Sequence, residues 1–192
     1  MKTLRIALSG LSGAGSSTTA KLVAERLSLP MNNFTLRNLA VEKGLSFDEI
    51  HRLAKTDSSI DIELDRRLVR FIRTHHLCFV ATDLACWLDQ PSLLNVLGET
   101  EPLHFDYKIW LEVPLDERAR RMRKREGGDI SEIKTYNHAR DLQNRERYID
   151  LYGVDIFDHS KIDWVFQTEK LTLSQVVESL CERILSLENP TS

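Results

Sequence analysis

Cysteine is scarce in this chain: Cys78, Cys86 and Cys181 are the only three in 192 residues. The number is odd, the spacing wide and no C-x-x-C pair occurs, which argues against a disulfide framework or a thiol-built metal centre. Reduced thiols in a cytoplasmic protein are expected. Histidine supplies no metal site either, because His51, His75, His76, His104, His138 and His159 are scattered without ligand spacing. No apolar run approaches the length of a membrane helix, and Met1-Lys2-Thr3 leads directly into a strand rather than a signal peptide, so no membrane partner is expected. The net charge of −3 leaves no global basic field to attract nucleic acid. Repeats and low-complexity tracts are also missing. What remains is one domain, or one domain with a mobile lid, long enough for a substantial core; monomer and homodimer both stay open.

The absence with most consequence is a single lysine. Gly10-Leu11-Ser12-Gly13-Ala14-Gly15-Ser16-Ser17-Thr18 follows the apolar run Leu4 to Ser9 and precedes Thr19 to Leu27, where Ala20, Val23, Ala24 and Leu27 share a helical face. Strand, glycine-rich turn and helix are the context of a phosphate-binding loop. Gly10, Gly13 and Gly15 let the backbone turn sharply and aim successive N–H groups at one point, and the helix dipole adds to that field. Against G-x-x-x-x-G-K-[ST], Gly10 and Gly15 fit the glycines and Ser17 fits the hydroxyl that holds Mg²⁺. Ser16 stands where the lysine that reaches the β- and γ-phosphates is expected. The dinucleotide fingerprint G-x-G-x-x-G fails at Thr18. A plain glycine-rich βα turn accounts for the glycines alone; the three hydroxyls that follow favour an ATP and Mg²⁺ site with a defect.

Further strands are expected at Leu77 to Ala81, Tyr107 to Val113 and Asp163 to Thr168, with a very short one within Leu29 to Asn33. Helices are expected over Phe34 to Lys43, stopped by Gly44, and after a capping box of Ser46 and Glu49 that covers Phe47, Ile50 and Leu53. Another follows Asp57-Ser58-Ser59, with Ile60, Leu64, Leu68 and Phe71 at helical spacing. Leu84 to Leu88 is a further helical candidate, and Pro91 to Pro102 reads as a short helix and a surface loop. Leu173 to Leu187 closes the chain as an amphipathic helix. Strands alternating with helices give an α/β protein: a three-layer α/β/α sandwich on a five-stranded parallel sheet. The core is expected at 1–33, 76–115 and 160–192, a helical substrate-binding insertion at 34–75 and an arginine-rich helical lid at 116–159.

Arg118, Arg120, Arg121, Arg123, Lys124 and Arg125 crowd one helix, Leu115 to Arg125. It buries Leu115, Ala119 and Met122 and presents Arg118, Arg121 and Arg125 together. After Gly127-Gly128, a helix capped by Asp129 and Glu132 runs to about Tyr152 and carries Arg140, Asn144 and Arg147 on one face. A solvated face or a nucleic-acid patch would account for the first helix alone. Two helices bringing arginines toward each other describe a lid over phosphates, where Arg121, Arg125, Arg140 and Arg147 would stabilise a transferring phosphoryl group and supply the charge Ser16 lacks.

Three stretches resemble the archaeal-type branch of the cytidylate kinase-like family, within the P-loop nucleoside monophosphate kinases. The first is the loop itself. The second is Phe34-Thr35-Leu36-Arg37-Asn38-Leu39-Ala40 with Gly44-Leu45-Ser46, then Ile60-Asp61 and Leu64-Asp65-Arg66-Arg67. The third is Trp110 to Leu115, Arg118-Ala119-Arg120-Arg121, Arg147-Tyr148 and Tyr152 to Ile156. The resemblance implies the P-loop kinase fold and phosphoryl transfer from ATP to CMP or a similar monophosphate. It implies Arg37 on the acceptor phosphate, with Asp65, Arg66 and Asp83 in the acceptor region, and Mg²⁺ held through Ser17 and water. Two departures stand out. Ala81-Thr82-Asp83 replaces the family's acid-Gly-Arg at the end of the third strand, and Asn33 replaces a glycine. Asp83 shares a side of the strand with Ala81 and would serve the metal or cap the next helix.

Three readings follow: a monophosphate kinase, a nucleotide-binding sensor or partner without turnover, and a kinase for another small acceptor whose hydroxyl or amine meets Asp83. Tyr136, Tyr148 and Trp87 are candidates for stacking on a base, against plain core packing.

Overall fold

The computed structural model describes residues 3–32 and 34–188. Five strands, β1 (Leu4–Ser9), β2 (Met31–Asn32), β3 (Leu77–Ala81), β4 (Tyr107–Glu112) and β5 (Trp164–Gln167), form one sheet in the order β2-β3-β1-β4-β5. All four pairings are parallel, with Ile6 level with Phe79 on one side and Tyr107 on the other. The continuous apolar runs of β1, β3 and β4 are buried because helices cover both faces of the sheet.

The helices are α1 (Ser16–Leu27), α2 (Leu36–Glu42), α3 (Phe47–Leu53), α4 (Ser59–Thr74), α5 (Pro91–Leu97), α6 (Leu115–Glu126), α7 (Ile130–Tyr152) and α8 (Leu173–Glu188). One core lies between the sheet, α1 and α8, around Ile6, Leu8, Val23, Phe79 and Leu180; the other lies toward α4, α5 and α7, around Leu68, Ile72, Val80, Trp87 and Trp110. A separate cluster of Leu39, Ala40, Ile50, Ala54 and Ile60 lets α2 and α3 pack against the start of α4 and stand beside the sheet.

The three-layer α/β/α arrangement matches the sequence expectation, with local differences that have local causes. Helix α1 begins at Ser16 rather than Thr19, so the three hydroxyl residues lie inside its first turn. Helix α2 starts two residues later than Phe34, because Thr35 and Asn38 form a capping box. The Ser46–Glu49 box on α3 is present, but α3 buries only Ile50, while Leu53 is 40% exposed. Leu84 to Leu88 holds only a 3₁₀ turn, Ala85–Trp87. Trp87 is in the core, Tyr148 is buried at the cleft described below and Tyr136 is exposed. The three cysteines are free and buried. Asn33, like Met1 and Lys2, lies outside the described residues.

One buried hydroxyl fixes the end of β3. Ser9 Oγ donates to the carbonyl of Thr82 at 2.8 Å and accepts from the Cys86 amide at 3.1 Å, so the turn carrying Thr82 and Asp83 is tied to the end of β1. Ser9→Ala leaves both groups without that partner and is expected to lower stability by about 1–3 kcal/mol in urea unfolding; an unchanged midpoint would show that Ser9 holds nothing.

Candidate active site

The loop between β1 and α1 is compressed. Gly13 and Gly15 have φ of +87° and +94°, and a Cβ on Gly13 would lie 3.0 Å from the carbonyl oxygen of Arg118. A Cβ on Gly10 would meet Ser16 Oγ at 2.8 Å and the Leu111 carbonyl at 3.1 Å. Glycine is therefore required at Gly13 twice over, by conformation and by space. Helix α1 has no side-chain cap and no acidic residue in its first turn, so its leading N–H groups and the positive end of its dipole face outward unmet.

Two arginines of α6 hold this loop from outside the cleft. Arg118 is buried, donating to the Ser12 carbonyl at 2.8 Å and to Asp141 of α7 at 2.7 Å. The other oxygen of Asp141 accepts from the Ser12 amide at 3.3 Å. Ser12 is thus gripped at both backbone groups by a buried ion pair. Arg121 donates to the carbonyls of Ala14 at 3.1 Å and Thr168 at 2.6 Å, and to Glu117. Arg118 is consequently not displayed beside Arg125, as helical spacing implied, and Arg121 does not line the cleft.

Above the loop opens a cleft of about 290 Å³. It brings together Gly10, Leu11, Ser12, Gly13, Gly15, Ser16, Ser17 and Thr18 with Arg37 of α2, Asp65 of α4, Asp83 after β3, Arg125 of α6, and Arg140 and Arg147 of α7. Ala14 is buried behind the loop. Arg66 points away, its Nε donating to the Leu97 carbonyl at 3.0 Å. Residues without a site role in the sequence reading also line the cleft: Phe47, His51, Asp61 and Asn144. Asn144 shares the helical face of Arg140 and Arg147, so helical spacing alone pointed to it; its amide donates to Asp83 at 3.0 Å, and the 3₁₀ turn that follows has no side-chain cap, so Asp83 does not serve as one.

The cleft is charged on both walls. Ser16 Oγ and the Nε atoms of Arg140 and Arg147 are buried without a hydrogen-bond partner. Arg147 Nε lies 3.2 Å from Asp61 Oδ2, close enough for charge attraction but not aligned for a hydrogen bond. Burial pushes the Asp61 carboxyl up to about 6, with Arg147 opposing and Asp83 adding to the rise. Burial also raises Asp65, to about 7, against the donated hydroxyl of Tyr152 and with help from Asp61 and Asp83. His51 is held below its usual range by burial and then by Arg140 and Arg147. An anion would meet uncapped amides and guanidinium groups on one side; a hydrogen-bond donor would meet Asp83 and the carboxyl groups of Asp61 and Asp65 on the other.

Residues 6–143 match a family model described as an AAA domain. A cytidylate kinase of Pyrococcus horikoshii is 35% identical over 169 residues, covering 87% of this chain and 81% of that one. A cytidylate kinase of Methanopyrus kandleri is 31% identical over 190 residues, 96% of each chain. Among solved structures, deoxyadenosine kinase from M. mycoides with bound dATP has a TM-score of 0.60 over 95% of this chain and 100% of that one; at 16% identity this likeness concerns the fold.

The buried carboxyls make stability depend on pH. Asp61 and Asp65 keep their protons in the folded chain where the unfolded chain has lost them, so their contribution is full below about pH 4 and fades as pH rises through about 6 and 7. Asp65→Asn keeps an acceptor for Tyr152 and removes that titration. The fall in unfolding free energy between pH 4 and pH 8 should shrink by roughly 4 kcal/mol in the variant; an identical fall in both proteins would mean Asp65 titrates normally.

Proposed function

Since the chain belongs to the cytidylate kinase family of P-loop kinases, we propose that it transfers the terminal phosphoryl group of ATP to CMP. The observation that carries this reading is the pair of α7 arginines, Arg140 and Arg147, whose buried Nε atoms lack hydrogen-bond partners in the same cleft as the uncapped start of α1. Amides of Gly13 and of Gly15 through Thr18 hold the β- and γ-phosphates of ATP, while that of Ala14 is already spent on the Leu11 carbonyl. Arg125, from the outer part of α6, closes over them, and with Arg140 and Arg147 already in the cleft brings the positive charge that Ser16 cannot supply. Arg37, on the helical insertion, takes the acceptor phosphate, whose own oxygen attacks the γ-phosphorus; no covalent intermediate and no general base are required. Arg121 acts by holding the loop rather than by touching phosphate. Asp65 and Asp83 accept hydrogen bonds from the acceptor, and Arg66 is left out of that set.

The donor set suits a hard cation: Ser17 offers a hydroxyl and Asp83 a carboxylate in one cleft, and no group of three His, Cys, Asp or Glu forms a cage among the described residues. Ser17 and Asp83 would hold Mg²⁺, which when bound would offset charge on the phosphate oxygens. The buried free cysteines fit a reducing, cytoplasmic setting.

A second reading rests on Asp83, which would repel an acceptor phosphate: the acceptor is then a small molecule presenting a hydroxyl or amine. An ADP-release assay with ATP and Mg²⁺ against nucleoside monophosphates, nucleosides and polyols decides between them. Release with CMP is expected, and Arg147→Ala should lower kcat/KM about a hundredfold. Release only with a neutral acceptor would replace CMP by that class, and ATP binding without release to any acceptor would leave a sensor.

A further inference from the structure

Helix α3 begins at the cleft with an aromatic ring that its own packing does not use. Phe47 is half-buried and stands apart from the apolar cluster around Ile50, whose partly buried members are Phe34, Leu36 and Leu45. The guanidinium of Arg37 lies over this ring at 4.7 Å from its centroid, and that of Arg140 at 5.8 Å. One guanidinium comes from α2 and the other from α7, so a single ring joins cations from the two sides of the cleft. We propose that Phe47 is a positioning residue that holds Arg37 and Arg140 together, aimed into the cleft, before any anion arrives. This rests on the reading of both arginines as phosphate ligands.

The physical case begins with repulsion. Two guanidinium groups brought to one site without an anion repel each other, and each long side chain loses rotamer freedom on being held. The negative face of an aromatic ring offsets both effects for a cation within about 6 Å of its centroid. Stacking uses the flat face of a guanidinium and leaves its edge N–H groups free, so the contact with Phe47 and a bidentate contact with phosphate are compatible. Arg140 fits this description, since its Nε is buried and has no partner. The start of α3 is fixed by the Ser46–Glu49 box, with Ser46 and Glu49 bonding each other's backbone amides, which sets the ring at the first position of the helix. His51, one turn further, packs against the same ring at 5.9 Å and lines the cleft; burial and then Arg140 and Arg147 depress its pKa, so it adds little charge of its own at neutral pH.

The test compares wild type with Phe47→Leu, Phe47→Tyr and Phe47→Trp. In the nucleotide-free protein, the side-chain Nε–Hε resonances of Arg37 and Arg140 should be displaced by the ring current, and should return to ordinary positions in Phe47→Leu. Thermal unfolding should shift little, while kcat/KM for ATP and for CMP falls about tenfold through KM; Phe47→Tyr and Phe47→Trp should restore it. Unmoved arginine resonances in Phe47→Leu, or a tryptophan variant no better than leucine, would overturn the proposal. If the wild type transfers phosphate to no acceptor, the function reading fails alone, because the resonances and the ATP affinity by calorimetry still decide the role of Phe47.

Discussion

Negative charge has to be met by something, and this loop has Ser16 where a lysine would meet it. The start of α1 offers roughly half an elementary charge and a fan of amides, which is small against an oligophosphate. On the proposed reading, guanidinium groups on other elements supply much of the remaining charge, and these are useful only if their elements are fixed relative to the loop. The buried contact of Arg118 and Asp141 with Ser12 provides that fixing. It ties α6 and α7 to the loop at the same backbone unit, with both partners almost wholly out of water. Loss of either partner would strand a buried charge, so the contact is costly to break and the roots of the two helices are not free to swing. On the proposed reading, lid movement is confined to the outer parts of α6 and α7.

The opposite wall of the cleft is acidic, and the two walls depend on each other. Asp61 and Asp65 are buried on α4, Asp83 follows β3, and Arg147 of α7 sits beside Asp61. Asp83 is also bonded by Asn144, which lies between Arg140 and Arg147 on the same helix face. An arginine from α7 therefore enters the cleft next to carboxylates that draw it in, while Arg140, seven residues earlier, rests over Phe47. An acceptor carrying both a phosphate and hydrogen-bond donors is the kind of molecule that would suit both walls at once.

Much of this was legible in the chain because the signals are local. The apolar run Leu77 to Ala81 marks β3 at its observed bounds, and the Ser46–Glu49 box marks the start of α3. Glycine spacing located the loop. Arg118 was misread because the period of α6 groups it with Arg121 and Arg125, whereas its partners are 106 and 23 residues away. No local pattern encodes such pairs. Arg66 offered a usable warning, since adjacent residues on a helix do not share a face and Asp65 and Arg66 are not both able to enter one cleft. Phe47 was assigned to the buried stripe with Ile50, and only the approach of α7 reveals the ring's other neighbours. Asp141 had no signal at all: it adjoins Arg140 in sequence, yet its partners are Ser12 and Arg118 rather than the cleft.

The central claim is that cations from across the cleft do the work of the absent loop lysine, and a double-mutant cycle on ATP affinity tests it most directly. Ser16→Lys, Arg140→Ala and the combined variant are titrated with ATP and Mg²⁺. The account predicts that Arg140→Ala weakens binding and that Ser16→Lys recovers most of that loss, while adding much less to the otherwise unaltered protein. Strictly additive effects, or no loss on removing Arg140, would show that the guanidinium and the missing lysine serve different ends.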